Sequence, residues 1–78
     1  MARYFFHLHN DTYVEDEEGR ECSSLDEVRL IAVSEARVMA SINVREGHLD
    51  LSHAISVTEE HGQEMLVVRF GDAVVVRR

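Results

Sequence analysis

The sequence predicts an α+β fold of order ββαββ: an antiparallel four-stranded sheet, with a possible fifth strand at the C-terminus, and one long helix packed on one face. Three observations predict it. Ser24 to Glu46 contains neither Pro nor Gly, and its apolar residues recur at helical spacing. Shorter segments on both sides of it alternate apolar and polar residues, as half-buried strands do. Turn-forming residues, Asn10-Asp11 before the helix and His61-Gly62 after it, fold each flank into a hairpin.

Arg3 to His9 is the first strand, with Tyr4, Phe6 and Leu8 on the core face and Phe5, His7 and His9 on the other. Thr12 to Glu15 returns as a short second strand, after a loop of two or three residues. Asp16-Glu17-Glu18-Gly19 reads as a type I turn with Gly at its last position, and Arg20 to Ser23 leads into the helix. At its start the Ser24 hydroxyl can accept from the amide of Glu27 while the Glu27 carboxylate reaches back to the Ser24 amide. Gly47 supplies the left-handed residue that ends helices. The row Leu25, Val28, Ala32, Ala36, Met39, continued by Asn43, forms the core stripe.

After the helix, Leu49 and Leu51 should tuck beneath its end. Ala54 to Glu59 is the third strand. A two-residue turn at His61-Gly62 then pairs Val57 with Leu66 and Ile55 with Val68, in a hairpin ending near Phe70. Ser56, Thr58, Met65, Val67 and Arg69 fall on the opposite face. Ala73 to Val76 is a fifth strand or an apolar tail, restrained by Arg77 and Arg78. The strands should lie side by side in the order 2-1-3-4.

Composition narrows the function. At 78 residues the chain is expected to be one domain, close to the size at which a single core only just outweighs chain entropy, so a second copy would help it. A net charge of −7 opposes general nucleic-acid binding, which depends on neutralising phosphates. Between Asp11 and Glu27 the carboxylates are answered only by Arg20. The lone Cys22 allows no intrachain disulfide and suggests a reducing, cytoplasmic setting. No stretch approaches the roughly 20 apolar residues of a membrane span, and no cofactor motif is present, so neither membrane nor cofactor is expected.

Tyr4-Phe5-Phe6-His7-Leu8, Asp16-Glu17-Glu18-Gly19, the Leu25-Asp26-Glu27 helix start and Phe70-Gly71-Asp72-Ala73-Val74 occur in an order that resembles a family of short bacterial proteins known as a domain of unknown function. The resemblance runs nearly end to end and implies a small stand-alone protein, without bringing an activity or ligand. The helix-after-hairpin layout is also similar to small antitoxin domains built on a partial double-stranded-RNA-binding fold, an analogy of fold alone.

Several constellations bear on chemistry. His7 and His9, two apart on one strand face, could reach one metal ion with Asp11 as third ligand, the basis of a metal-dependent enzyme reading; two polar residues on a half-exposed face is the plainer one. Cys22 precedes a helix N-terminus, where thiol pKa can fall, but no base stands beside it in sequence. Arg3, Arg69, Arg77 and Arg78 could share a surface with Phe5 stacking on a base, as an antitoxin-like or nucleic-acid regulator would need. The principal expectation is a non-catalytic protein-interaction module acting as a homodimer. The helix carries more apolar surface than one sheet covers, and contact is expected through Ile31, Val38, Ile42, Val67, Val74 and Val76.

Overall fold

Strand β1 (Ala2–His9) joins the two halves of the sheet, because one of its edges is paired by chain that precedes the long helix and the other by chain that follows it. A computed structural model describes residues Met1–Arg78. On one side β1 pairs along most of its length with β4 (Ala54–Glu59), from Tyr4 opposite Glu59 to His9 opposite Ala54. On the other side it meets two short strands, β2 (Tyr13–Val14) at its end and β3 (Arg20–Cys22) at its start. Strand β5 (Glu64–Arg69) pairs with β4, so the order is β2-β1-β4-β5, antiparallel throughout, with β3 sharing the β2 edge. This is the expected arrangement with one addition. Arg20 to Cys22 is a strand, where the sequence suggested a lead-in, and the return strand before it shrinks to two residues after a three-residue loop.

Helix α1 (Leu25–Arg45) crosses one face of the sheet. Ser24 caps it, its Oγ accepting from Glu27 N at 3.1 Å. The reciprocal bond is displaced by one residue: Glu27 Oε1 accepts from Ser23 N at 2.9 Å, not from Ser24. At the other end Gly47 N donates to Val44 O and His48 N to Asn43 O, with Gly47 at φ 95°, the left-handed closure that Gly alone adopts cheaply. The buried stripe is Val28, Ala32, Ala36, Ala40 and Asn43. Leu25, expected in it, is 57% exposed at the first turn, and Ala40 takes a core place instead.

The core between helix and sheet is completed by Phe6, Cys22, Ile55, Val57, Val68, Phe70 and Ala73. Small helix residues face large strand residues, which lets the helix backbone lie close on the sheet. The expected two-residue turn at His61-Gly62 is in fact the three-residue loop Glu60-His61-Gly62, closed by Gly62 N to Glu59 O and Glu59 N to Gln63 O, both at 3.0 Å. A bulge between Thr58 and Val57 absorbs the extra residue, so Val57 opposite Leu66 and Ile55 opposite Val68 keep the expected register.

The C-terminal segment forms no fifth strand. Phe70–Ala73 turns into a single helical turn, α2, held by Phe70 N to His53 O at 2.7 Å, Gly71 N to Leu51 O at 3.0 Å and Arg37 Nε to Ala73 O at 2.8 Å. The fully buried Phe70 ring is what draws the chain away from the sheet edge and back toward α1. Leu49 and Leu51, expected beneath the helix end, stay exposed, and His53 is the buried residue of that connection. No helix is long and apolar enough to cross a membrane.

Candidate functional site

The face of the sheet turned away from α1 carries the polar and aromatic residues that strand alternation sends outward: Arg3, Phe5, His7 and His9 from β1, Tyr13 from β2, and Ser56 and Thr58 from β4. His7 is only 6% exposed. Its Nδ1 accepts from Asp16 N at 3.0 Å, so that nitrogen bears no proton, and Nε2–H donates to Thr58 Oγ1 at 2.9 Å. His9 Nε2 bonds Ser56 Oγ at 2.8 Å. The rings form a row: Phe5 and His7 lie nearly parallel at 6.5 Å, and Tyr13 packs on His7 at 5.8 Å and on His9 at 4.7 Å.

Asp16 makes this geometry possible. Between β2 and β3 the edge of β1 has no strand beside it, and the Asp16 carboxylate stands in. Its Oδ2 accepts from Phe6 N at 3.0 Å, while its Oδ1 accepts from Glu18 N at 3.2 Å and Gly19 N at 3.1 Å. Burial alone would raise its pKa, but the amides of Phe6, Gly19 and Glu18 together outweigh burial and hold the carboxyl below its ordinary range. The expected type I turn is therefore closed by a side chain. Gly19 sits at φ 71°, and a Cβ there would lie 2.8 Å from the Phe5 ring and 2.9 Å from Tyr4 O, so only glycine lets the turn close down on Phe5.

A cleft of about 470 Å³ opens above this row. Phe5, His7, Tyr13 and Thr58 form its floor, and Glu15, Asp16, Glu17, Glu59 and Glu60 its rim. Glu59 is spent on its own loop: Oε1 accepts from His61 N and Gln63 N, and Oε2 bonds His61 Nδ1 at 2.9 Å. The amide of Gln63, then His61, hold the Glu59 carboxyl low, and Glu59 in turn pushes His61 up. Glu15, Glu17 and Glu60 are exposed and join in none of the chain's ion pairs. A second cleft, of about 380 Å³, lies behind the same gap and is lined by Asp16, Arg20 and Glu35, where burial pushes the Glu35 carboxyl up.

A family model described as Domain of unknown function (DUF6894) matches residues 3–71. The chain belongs to this family. The order of motifs that suggested such a family in the sequence is thus confirmed, and the matched span of DUF6894 holds every residue of the aromatic row and its rim. No significant match was found among curated proteins or among solved structures.

The residues singled out in the sequence are scattered over this DUF6894 chain. His7 and His9 share the open face, but their nitrogens bond hydroxyls, and Asp11, the suggested third ligand, lies instead 3.5 Å from His53 Nε2. No three His, Cys, Asp or Glu side chains converge as metal ligands would. Cys22 is buried, and burial, then Glu27, push its thiol up, the reverse of the lowering its position suggested. Arg3 bonds Glu18 O and pairs with Glu21, at the sheet end opposite Arg69. Of the apolar contact candidates, Ile31, Val38 and Ile42 share one helix flank. Val67 is on the open sheet face and Val74 packs on the core near the Arg37 side of α1. At 100° per residue that side lies about 100–140° round from the flank, so these residues form no single patch.

Sequence reasoning passed over two residues of consequence. Asp16, three before a glycine, carried a signal for a side-chain-closed turn. His53 carried none: it is buried, edge-on to Phe70 at 5.7 Å, with Nε2 3.3 Å from Asp50 and Nδ1 without a partner.

Proposed function

We propose that the chain is a non-catalytic protein-interaction module that works as a homodimer, with the α1 flank of Ile31, Val38 and Ile42 as the contact. The observation that carries this reading is on that flank: Val38 is 55% and Ile42 41% exposed beside the half-buried Ile31, three β-branched apolar side chains in one row. The core supports it from the other side. Only 16 of the 78 residues are buried, and those from the helix are the three alanines Ala32, Ala36 and Ala40, with Val28 and the polar Asn43. Such a thin core gains from each further apolar area covered, at about 25 cal/mol per Å². Chemistry is not favoured by the candidate groups, since His7 is held at both nitrogens and Cys22 is buried with its thiol pushed up.

Sedimentation equilibrium at micromolar concentration tests the reading. The wild-type chain should have the mass of two copies, and a Val38→Glu/Ile42→Glu variant the mass of one, with an unchanged far-ultraviolet circular dichroism spectrum. A wild-type mass of one copy would defeat it.

A further inference from the structure

We propose that the open sheet face binds an arginine-bearing segment of a partner protein, with one arginine side chain seated in the cleft over Phe5 and Tyr13. The surface lies on the other side of the sheet from the helix flank, so it stands or falls apart from the dimer.

The groups left over in the cleft define the occupant. His7 has no free donor, because one nitrogen accepts from Asp16 N and the other donates to Thr58. Asp16 and Glu59 are consumed by backbone amides. What remains, besides the hydroxyls of Tyr13 and Thr58, is two aromatic rings and the unpaired carboxylates of Glu15, Glu17 and Glu60, which can only accept, and no Arg or Lys lines the cleft. An anion or a phosphate backbone is repelled there. A cation that donates several hydrogen bonds and lies against a ring is matched by charge and by shape.

Arginine fits better than lysine, since its planar guanidinium can fork onto a carboxylate while its face rests on an aromatic ring. A protein segment fits better than an isolated cation. The cleft is open to solvent, and the same face continues across Ser56 to Val67, itself 40% exposed, giving apolar surface on which neighbouring residues can lie. The floor is set before binding, because Gly19 pins Phe5 and Asp16 pins His7, so little ordering is spent on association.

Fluorescence anisotropy with a labelled peptide of alternating arginine and glycine, at physiological salt, tests this on the intact chain. Three comparisons are decisive. Glu15→Gln/Glu17→Gln/Glu60→Gln should weaken binding by about tenfold or more, whereas Asp26→Asn/Glu46→Gln/Asp72→Asn, with the same change of charge at exposed positions on the helices and their ends, should weaken it by less than about threefold. Tyr13→Leu should cost about three- to tenfold. The lysine–glycine counterpart should bind several-fold more weakly. All of the substituted side chains are exposed, and a retained amide nuclear magnetic resonance spectrum verifies that each variant is folded. Equal losses in the two triple variants would mean attraction to net charge alone and overturn the proposal. Equal binding of the lysine peptide, an unaffected Tyr13→Leu variant, or no binding by the wild-type chain would overturn it as well.

Discussion

Asp16 shows how one side chain can replace a strand. Three backbone amides reach its carboxylate, and the one from Phe6 would otherwise face the gap between β2 and β3 unpaired. Asp16→Asn keeps the shape but loses the charge and one acceptor oxygen, and should cost about 1–3 kcal/mol in urea denaturation at pH 7. The pH dependence has a definite sign. The folded-state pKa is depressed from the ordinary 3.8, so the stabilisation is fully present above that value and is lost as pH falls through the lower, folded one. The gap in stability between wild type and Asp16→Asn should therefore narrow over the interval from about pH 4 downward, with most of the loss below the ordinary value. A gap of constant size over that interval would mean the carboxylate charge is not what binds the amides.

The helix and the hairpins illustrate the element scale. Helix α1 begins and ends where local chemistry dictates, with Ser24 at one end and Gly47 at the other. Nothing lies within 4 Å of a Cβ built on Gly47, so Gly47→Ala meets no clash and pays only for the left-handed backbone. The expected loss is about 1 kcal/mol, read as a lower urea midpoint with an unchanged slope. The β4–β5 hairpin is different, because its loop and its register were decided separately. Alternation of Ile55, Val57, Leu66 and Val68 sets which residues face α1, and a one-residue slip would turn each of them to the open face. The loop took three residues because Gly62 can adopt φ 87°, and the bulge reconciled the two.

At the scale of the whole molecule, the Cα extents are 40 × 24 × 16 Å. The shortest is the depth of one helix on one sheet, so the open face has no second layer over it. Closure at the far end falls to Phe70, fully buried between α1 and the sheet with its ring against the edge of the His53 ring. A chain of this length is stable by about 4–12 kcal/mol, and deleting a buried aromatic side chain costs about 3–5. Phe70→Ala should accordingly shift thermal unfolding far down or abolish the cooperative transition, while Phe70→Leu should remain folded with a loss of about 1–2 kcal/mol. An unaltered midpoint in Phe70→Ala would mean that α2 is a passive tail.

Much of this was legible in the residues: the order ββαββ, the ends of α1, the register of the last hairpin and the membership in DUF6894 that the motif order suggested. Those features depend on period, caps and turn residues, which act over a few positions. The cleft was not legible. Phe5, His7 and Tyr13 meet Glu15, Glu17 and Glu60 only because β1, the β2–β3 gap and the hairpin loop converge, contacts between residues up to 55 positions apart in a 78-residue chain. The course of the C-terminal segment was likewise ambiguous, since four apolar residues in a row, Ala73 to Val76, suit a fifth strand or an apolar tail equally, and the helical turn Phe70–Ala73 depends on the burial of Phe70. The sequence by itself determined which surfaces are apolar and where the long helix and the strands β1 and β4 lie. Tertiary structure decided which of those surfaces find cover within the chain, because burial depends on what the fold brings opposite.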